Sequence, residues 1–220
     1  MSLRRRPHAS TIAPRFDGAF PFSSFLIAVK NPGSVLPSST AGQRYAGSLR
    51  AVHWLRALVV LGTLSAGLLM VNLPDDMAVK FEQLYPNHKQ FGVLALLLVL
   101  LQLVLRWRRG VPALPHSLQP WERRLSHLTH GLMYLLLVLV PLMGYAMSSS
   151  FTQSDGVPFF FFGHLPELLP KNDARFEVFQ LLHRYLAWTL LALVVMHVAG
   201  ALKHRFFDAD PDSDVLRRML

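Results

Sequence analysis

Three histidines interrupt an otherwise apolar segment near the end of the chain, at His183, His197 and His204. An ionisable side chain inside a membrane span is costly, so it marks a functional site by default. The fourteen positions from His183 to His197 correspond to a helical rise of about 21 Å and an angular offset of about 40°. His204 follows seven residues later on the same face, within about 20° of His197. One helix face therefore offers imidazoles at two levels, about two-thirds of a bilayer core apart.

The composition favours a membrane protein. Of the 220 residues, 52% are hydrophobic and 16% are charged, whereas soluble domains carry about 25% charged residues. The net charge of +9 is compatible with nucleic-acid binding or with membrane orientation. Orientation fits better, because the basic residues lie between long apolar runs. The chain has no cysteine, which excludes disulfides, Cys-ligated metal sites and covalent c-type haem attachment.

Four apolar stretches each have close to the roughly 20 residues that a transmembrane helix needs. They are residues 51–71, 90–107, 125–147 and 179–202. Arginine and lysine dominate three segments: the loop between the second and third stretches, the segment around the start of the first stretch and the segment after the fourth. The positive-inside rule then places this loop and both termini in the cytoplasm. We expect an all-α membrane protein built as a four-transmembrane-helix bundle.

The N-terminal residues differ from the rest of the chain. Residues 1–42 are rich in Pro, Ser and Gly, and they contain one short apolar patch at 20–29. A cleaved signal peptide would place the start of the first helix outside, against the arginine count. We therefore expect 1–42 to be a disordered extension, for which a mis-assigned gene start is one explanation. The membrane domain would cover 43–207, and 208–220 would form a cytoplasmic tail.

Depth in the membrane groups four histidines into two pairs. His53 begins the first helix on the cytoplasmic side, and His88 precedes the second helix on the periplasmic side. The outer pair is then His88 with His183, and the inner pair is His53 with His197. Two imidazoles that face each other across a bundle are the axial ligands of low-spin haem. For each histidine alone, a hydrogen bond to a neighbouring carbonyl is the alternative.

Other histidines lie near the inner level. His127 and His130 open the third helix and compete with His53 as the partner of His197. A contact with a haem propionate or a quinone carbonyl is the interpretation that we favour for His127 and His130, and we extend it to His204. The remaining histidines lie in predicted loops and should be solvated: His8, His116 and His164.

Three uncharged residues repeat the fourteen-residue spacing. Gly67 and Gly144 each follow a histidine of the same helix by fourteen residues. They would leave room for the edge of a porphyrin, or serve ordinary close packing of helices. Gln102 lies fourteen residues after His88, where it would face the inner haem or bridge two helices.

Four blocks of the chain resemble the bacterial cytochrome b561 family in its small, single-subunit form. They are "RYAGSLRAVHWLRALVV", "YPNHKQFGVLALLLVLLQLVLR", "RLSHLTHGLMYLLLVLVPLMGY" and "FQLLHRYLAWTLLALVVMHVAGALKHRFF". The resemblance covers about residues 43–207, and its specific parts are the His-Trp of the first helix and the paired histidines of the fourth. It implies a bundle with two haems b in a bacterial inner membrane, and electron exchange with ubiquinone.

The resemblance also implies an activity. Some members of this family are superoxide oxidases, which pass an electron from periplasmic superoxide to ubiquinone. We therefore expect a membrane-bound oxidoreductase that moves electrons between a periplasmic donor, with superoxide favoured, and the quinone pool. The expected partners are membrane lipid, ubiquinone and superoxide or another periplasmic donor, and no nucleic acid.

Further residues are candidates for contacts at the two ends. Trp54, Arg56, His130 and His204 are the expected quinone or propionate contacts at the inner end. Two basic residues directly follow the outer ligands, Lys89 after His88 and Arg184 after His183. They would neutralise propionates or steer an anion such as superoxide to the haem edge.

Two other functions remain open from the sequence. One is a cytochrome b subunit of a hydrogenase or formate dehydrogenase, in which a partner redox subunit supplies the electrons. The other is a non-redox membrane protein that uses the histidines for a metal ion or for protons. The sequence has no Gly-rich phosphate loop, HExxH or GxSxG motif, and so offers no competing catalytic signature.

Overall fold

A computed structural model describes residues 44–115 and 117–220. The predicted extension at 1–42, His8 and His116 lie outside these described residues. The described part of the chain contains four long helices: α1 (Gly47–Asn72), α2 (Tyr85–Arg109), α3 (Pro120–Ser150) and α4 (Asp173–Phe206). Each helix contains one predicted stretch and extends beyond it at both ends, so the four predicted helices are confirmed.

The helices suit a lipid environment. All four, with α2 extended at its start by a π-helical turn (Lys80–Leu84), are long and apolar enough to cross a membrane. Large apolar side chains point away from the bundle, for example Leu58, which is 70% exposed, and Val195, which is 60% exposed. Exposed apolar surface on this scale is rare on soluble monomers but is what hydrocarbon requires. The predicted fold class, a membrane-spanning four-helix bundle, is confirmed.

An apolar core joins all four helices near their middle. Its buried residues are Val60 from α1, Ala95 and Val99 from α2, Leu136, Leu137 and Val140 from α3, and Leu190 from α4. Val99 is fully buried. This core lies between the levels of the two histidine pairs and separates them with close-packed hydrocarbon side chains.

Local sequence signals account for the helix ends. Gln119 and Glu122 form a capping box at the start of α3, with Pro120 in the first turn. The side chain of Asn172 accepts a hydrogen bond from the Arg175 backbone N–H at the start of α4. After α2, Gly110 adopts a φ of 68°, a conformation that glycine tolerates best.

The connection between α1 and α2 sets the position of His88. The ammonium group of Lys80 donates to the Leu73 carbonyl at 2.9 Å and to the Asp75 carboxylate at 2.5 Å. Lys80 is buried, whereas Asp75 is exposed. These bonds tie the π-helical turn to the end of α1, and they bring the first turn of α2 alongside the last turns of α1.

The long α3–α4 loop folds back on α2. It contains the short antiparallel strands β1 (Val157–Pro158) and β2 (His164–Leu165), joined through a 3₁₀ turn (Phe160–Phe162). This part of the loop is therefore a small hairpin around a short 3₁₀ helix. The Phe160 N–H donates to the Gln90 side chain at 3.1 Å. His164 is exposed, as predicted.

The C-terminal segment, residues 207–220, packs against the helix bundle. The Trp54 indole N–H donates to the Met219 carbonyl at 2.8 Å. The Tyr45 N–H donates to the Arg218 carbonyl at 3.1 Å, and the Arg218 guanidinium donates to the Ala113 carbonyl at 2.9 Å. The predicted tail therefore forms part of the folded unit and closes the end of the bundle at which α4 terminates.

Candidate functional site

The structure brings the predicted outer pair together. The ring centroids of His88 and His183 are 6.0 Å apart, with the rings nearly perpendicular. His88 Nδ1 lies 3.1 Å from the Thr63 carbonyl, and His183 Nδ1 lies 2.9 Å from the Val140 carbonyl. A carbonyl can only accept, so each Nδ1 carries the proton and each Nε2 keeps its lone pair. This is how proteins orient a histidine that ligates a metal through Nε2.

Two glycines lie beside the imidazoles that make these hydrogen bonds. Gly67 follows Thr63 by four residues on α1, and Gly144 follows Val140 by four residues on α3. A Cβ at Gly67 would lie 3.5 Å from the His88 ring, and a Cβ at Gly144 would lie 3.0 Å from the His183 ring. The sequence left porphyrin room and helix packing as alternatives. The structure shows that Gly144 makes room for the imidazole that bonds the carbonyl one turn earlier, whereas a Cβ at Gly67 would only come into ordinary contact with its imidazole.

The structure also brings the inner histidines together. The centroid of the His197 ring lies 6.4 Å from that of His53 and 5.0 Å from that of His130. His130 Nδ1 bonds the Ser126 carbonyl at 2.7 Å. All three rings therefore lie at one level. The distance to the His197 ring is the criterion that distinguishes His53 from His130 as its partner.

The spacing of the rings favours the predicted pairs. The centroid distances of the two predicted pairs are similar, 6.4 Å for His53–His197 and 6.0 Å for His88–His183. The His130–His197 distance is shorter, at 5.0 Å. The predicted pairs therefore share one spacing, from which the His130–His197 contact departs.

A cavity of about 740 Å³ surrounds the inner histidines. Its size is that of a site for a cofactor or another small organic ligand. The cavity is lined by all four residues predicted as quinone or propionate contacts: Trp54, Arg56, His130 and His204. The C-terminal segment supplies a further wall, through Val215, Leu216 and Met219. The indole N–H of Trp54 already bonds Met219, so Trp54 offers the cavity its ring.

A buried positive charge lies in this cavity. Arg56 is only 7% exposed, and its guanidinium packs over the ring of Tyr134 at 5.4 Å. Its Nη1 has no hydrogen-bond partner among the described residues. A buried guanidinium without a counter-charge is costly, so this arrangement indicates an anionic group supplied by a ligand. Carboxylates such as the propionates of haem meet that requirement.

Sequence reasoning missed Tyr134 and Arg106 as neighbours of Arg56. It had named Gln102 as a residue that faces the inner haem or bridges two helices. The Arg106 guanidinium lies 5.7 Å from the Tyr134 ring, and the Gln102 side chain lies 3.5 Å from the Tyr134 hydroxyl. The Gln102 carbonyl oxygen is buried without a partner among the described residues. Helical spacing was the available signal, because Arg106 follows Gln102 by four residues and Tyr134 follows His130 by four.

The two predicted basic residues of the outer end differ. The Lys89 ammonium donates to the Gly156 carbonyl at 3.1 Å. The carboxylates of Asp155 and Glu167 lie close enough to attract its positive charge. Arg184 is exposed. Lys89 therefore ties the α3–α4 loop to α2, whereas Arg184 presents its charge to the surroundings.

Comparisons with known proteins decide the family. The family model described as prokaryotic cytochrome b561 matches residues 44–220. The chain belongs to this family. "Cytochrome b561 homolog 2" of Escherichia coli (strain K12) is 35% identical over 182 residues, which are 81% of this chain and 92% of the relative. "Cytochrome b561 homolog 1" of the same organism is 22% identical over 169 residues, 77% of this chain and 92% of the relative.

As a member of the cytochrome b561 family, the protein is a multi-pass membrane cytochrome that binds b-type haem and transfers electrons. The residues fit this cofactor. The free Nε2 atoms of His88 and His183 suit ligation of a haem iron, and the Nη1 of Arg56, which has no hydrogen-bond partner among the described residues, suits a propionate. Among the described residues, no group of three or more His, Cys, Asp or Glu could hold a bare metal ion.

Proposed function

We propose that the chain holds two b-type haems, an outer one on His88 and His183 and an inner one on His53 and His197. It moves electrons across the bacterial inner membrane from periplasmic superoxide to ubiquinone. The observation that carries this proposal is the presence of two imidazole pairs with similar spacing at levels about 21 Å apart along α4.

The orientation follows from charge. The last turn of α2 carries Arg106, Arg108 and Arg109 at the same end of the bundle as the inner pair. Positive-inside asymmetry assigns this end to the cytoplasm. The first described residues, near Tyr45, and the last, Leu220, lie at the same end and are then cytoplasmic too. The α3–α4 loop and the outer pair then face the periplasm.

The inner cavity is our proposed quinone site. A quinone needs apolar walls for its ring and hydrogen-bond donors for its carbonyl oxygens. Apolar side chains, with leucine and valine the most frequent, provide most of the lining, and His130 and His204 offer polar groups. Arg56 lies deeper than His53 by about one turn of α1, which suits a propionate contact.

Each part of the chain contributes to electron transfer in its own way. When bound, b-type haem supplies a reversible one-electron couple. The Thr63 and Val140 carbonyls hold the outer imidazoles in one tautomer and orientation. Val60, Val99 and Leu137 keep water out of the space between the two levels. Arg56 neutralises a carboxylate that would otherwise be costly to bury.

A direct experiment tests this function. The purified protein should show a reduced b-type absorption spectrum and two non-covalent haems per chain, extractable by acid-acetone. Superoxide should reduce the haems in a stopped-flow experiment, and a soluble ubiquinone analogue should reoxidise them. Absence of b-type bands would leave the non-redox interpretation. Haems that superoxide does not reduce would favour a cytochrome b subunit with a partner protein as its donor.

A single methyl group on α3 should disturb the outer haem. In Gly144→Ala, the new Cβ would lie 3.0 Å from the His183 ring, so the ring must move and weaken its bond to Val140. We expect an altered outer-haem spectrum and a lower haem-to-protein ratio, measured as pyridine haemochrome. Gly67→Ala is the matched control, because its Cβ would meet His88 at an ordinary 3.5 Å. Equal haem loss in both variants would contradict this explanation.

A further inference from the structure

A chain of ion pairs lies at the cytoplasmic end of the cavity. His204 lines the cavity, and its Nδ1 lies 2.7 Å from one carboxylate oxygen of Asp208. The other oxygen of Asp208 is 2.8 Å from the Lys203 ammonium. Lys203 also donates to Glu122 at 2.6 Å, and Glu122 accepts from the Gln119 N–H in the capping box. Both oxygens of Asp208 are therefore directed by fixed partners.

The carboxylate determines which nitrogen of His204 is free. An ionised carboxylate can only accept, so the Nδ1 of His204 carries a proton that points to Asp208. The hydrogen bonds from Lys203 and then from His204 lower the pKa of Asp208 to about 2. Asp208 therefore stays an anion at physiological pH, and Nε2 of His204 is left to exchange a proton with whatever occupies the cavity.

We propose that His204 is the acid that protonates the reduced quinone, and that Asp208 is the positioning residue that holds its Nδ1 proton. This inference rests on the proposed quinone site. Reduction of one quinone to quinol takes two electrons, supplied one at a time by reduced haem, and two protons. In each step His204 first takes up a proton at Nε2 from the cytoplasmic solvent, then passes it to a quinone oxygen, where an O–H bond forms, and returns to the neutral form with its proton on Nδ1. Asp208 stabilises the imidazolium form between the two events, as a carboxylate does for a catalytic histidine.

The other charges around His204 largely cancel. Lys203 on α4 faces Glu122 on α3 and Asp208 in the C-terminal segment, so one cation lies between two anions. Arg205 forms an ion pair with Asp214, and neither residue lines the cavity. The Phe207 N–H bonds the Lys203 carbonyl and caps α4 without Asp208. A role limited to helix capping would therefore not explain why His204 is turned into the cavity.

Kinetics of quinol formation test this proposal. Pre-reduced wild-type protein is mixed with a soluble ubiquinone analogue between pH 5.5 and 9, and haem oxidation is followed. We expect His204→Gln to slow the reaction about 100-fold at neutral pH, the scale of a general acid. Asp208→Asn should slow the reaction about tenfold, because His204 loses the carboxylate that holds its Nδ1 proton and stabilises its charged form. Asp214→Asn is the matched control, and it should keep the wild-type rate and pH profile.

A second measurement does not depend on turnover. In the reduced, diamagnetic protein, ¹⁵N NMR of labelled histidine should show His204 with its proton on Nδ1, assigned by the signal missing in His204→Gln. Asp208→Asn should weaken this tautomer preference, because a neutral amide oxygen accepts the Nδ1 proton less strongly than a carboxylate, while haem content stays normal. Wild-type kinetics and pH profile in Asp208→Asn would overturn the inference and leave the quinone site intact. Wild-type protein that no quinone oxidises would overturn the proposed function, and this inference with it.

Discussion

Replacing His197 with leucine is expected to remove the inner haem and leave the outer one in place. The haem-to-protein ratio should fall by half, and electron transfer to ubiquinone should be lost because the path ends at the outer level. His53→Leu should have the same effect, while His88→Leu or His183→Leu should remove the outer haem. The reason is that a low-spin haem loses its stable six-coordinate state when either imidazole is missing. Pyridine haemochrome and reduced spectra measure the outcome.

The third histidine at the inner level provides the control. The ring of His130 lies 5.0 Å from that of His197, a shorter spacing than the 6.4 Å between His53 and His197, and our proposal assigns the inner haem to His53 and His197. His130→Ala should therefore keep both haems, and so should His127→Ala, whose side chain is exposed. Loss of a haem in His130→Ala would mean that α3 supplies an inner ligand. Full haem content in any of the four leucine variants would refute the assignment of that residue.

Reduction of the haems by superoxide should be fast and should slow as salt is added. A fixed positive charge near the outer haem attracts an anion and raises its association rate about ten- to a thousandfold, an effect that salt screens. Arg184→Glu should lower the rate about tenfold or more at low ionic strength, because Arg184 is exposed. Stopped-flow absorbance at a series of salt concentrations measures both effects.

Lys89 provides the matched comparison for Arg184. Its ammonium already donates a hydrogen bond to the Gly156 carbonyl, and the carboxylates of Asp155 and Glu167 attract its positive charge. Lys89→Glu should therefore lower the rate of haem reduction by superoxide less than Arg184→Glu does. Quinol-driven reduction from the other end should change little in either variant. A reaction with superoxide that is slow and indifferent to salt would favour the partner-subunit interpretation.

The sequence by itself determined the helices and the depth of the histidines. Hydropathy over about 20 residues is a local property that lipid converts directly into a spanning helix. Helical rise and rotation then place His183 and His197 at two levels of one face without any tertiary information. The alternation of basic and mixed loops suggested where His53 and His88 must lie. The predicted pairs could therefore be named before the fold was known.

Only the tertiary structure decided what surrounds these residues. That Gly144 opens α3 for His183, or that Nη1 of Arg56 is buried without a hydrogen-bond partner among the described residues, depends on which helix faces lie together. The C-terminal segment gave no sequence signal for a wall of the cavity, because its apolar residues are few and irregularly spaced. Asp208 is four residues from His204, yet α4 ends between them, so only the fold shows that they meet. Such contacts arise from long-range packing, whereas hydropathy and helical period report local structure alone.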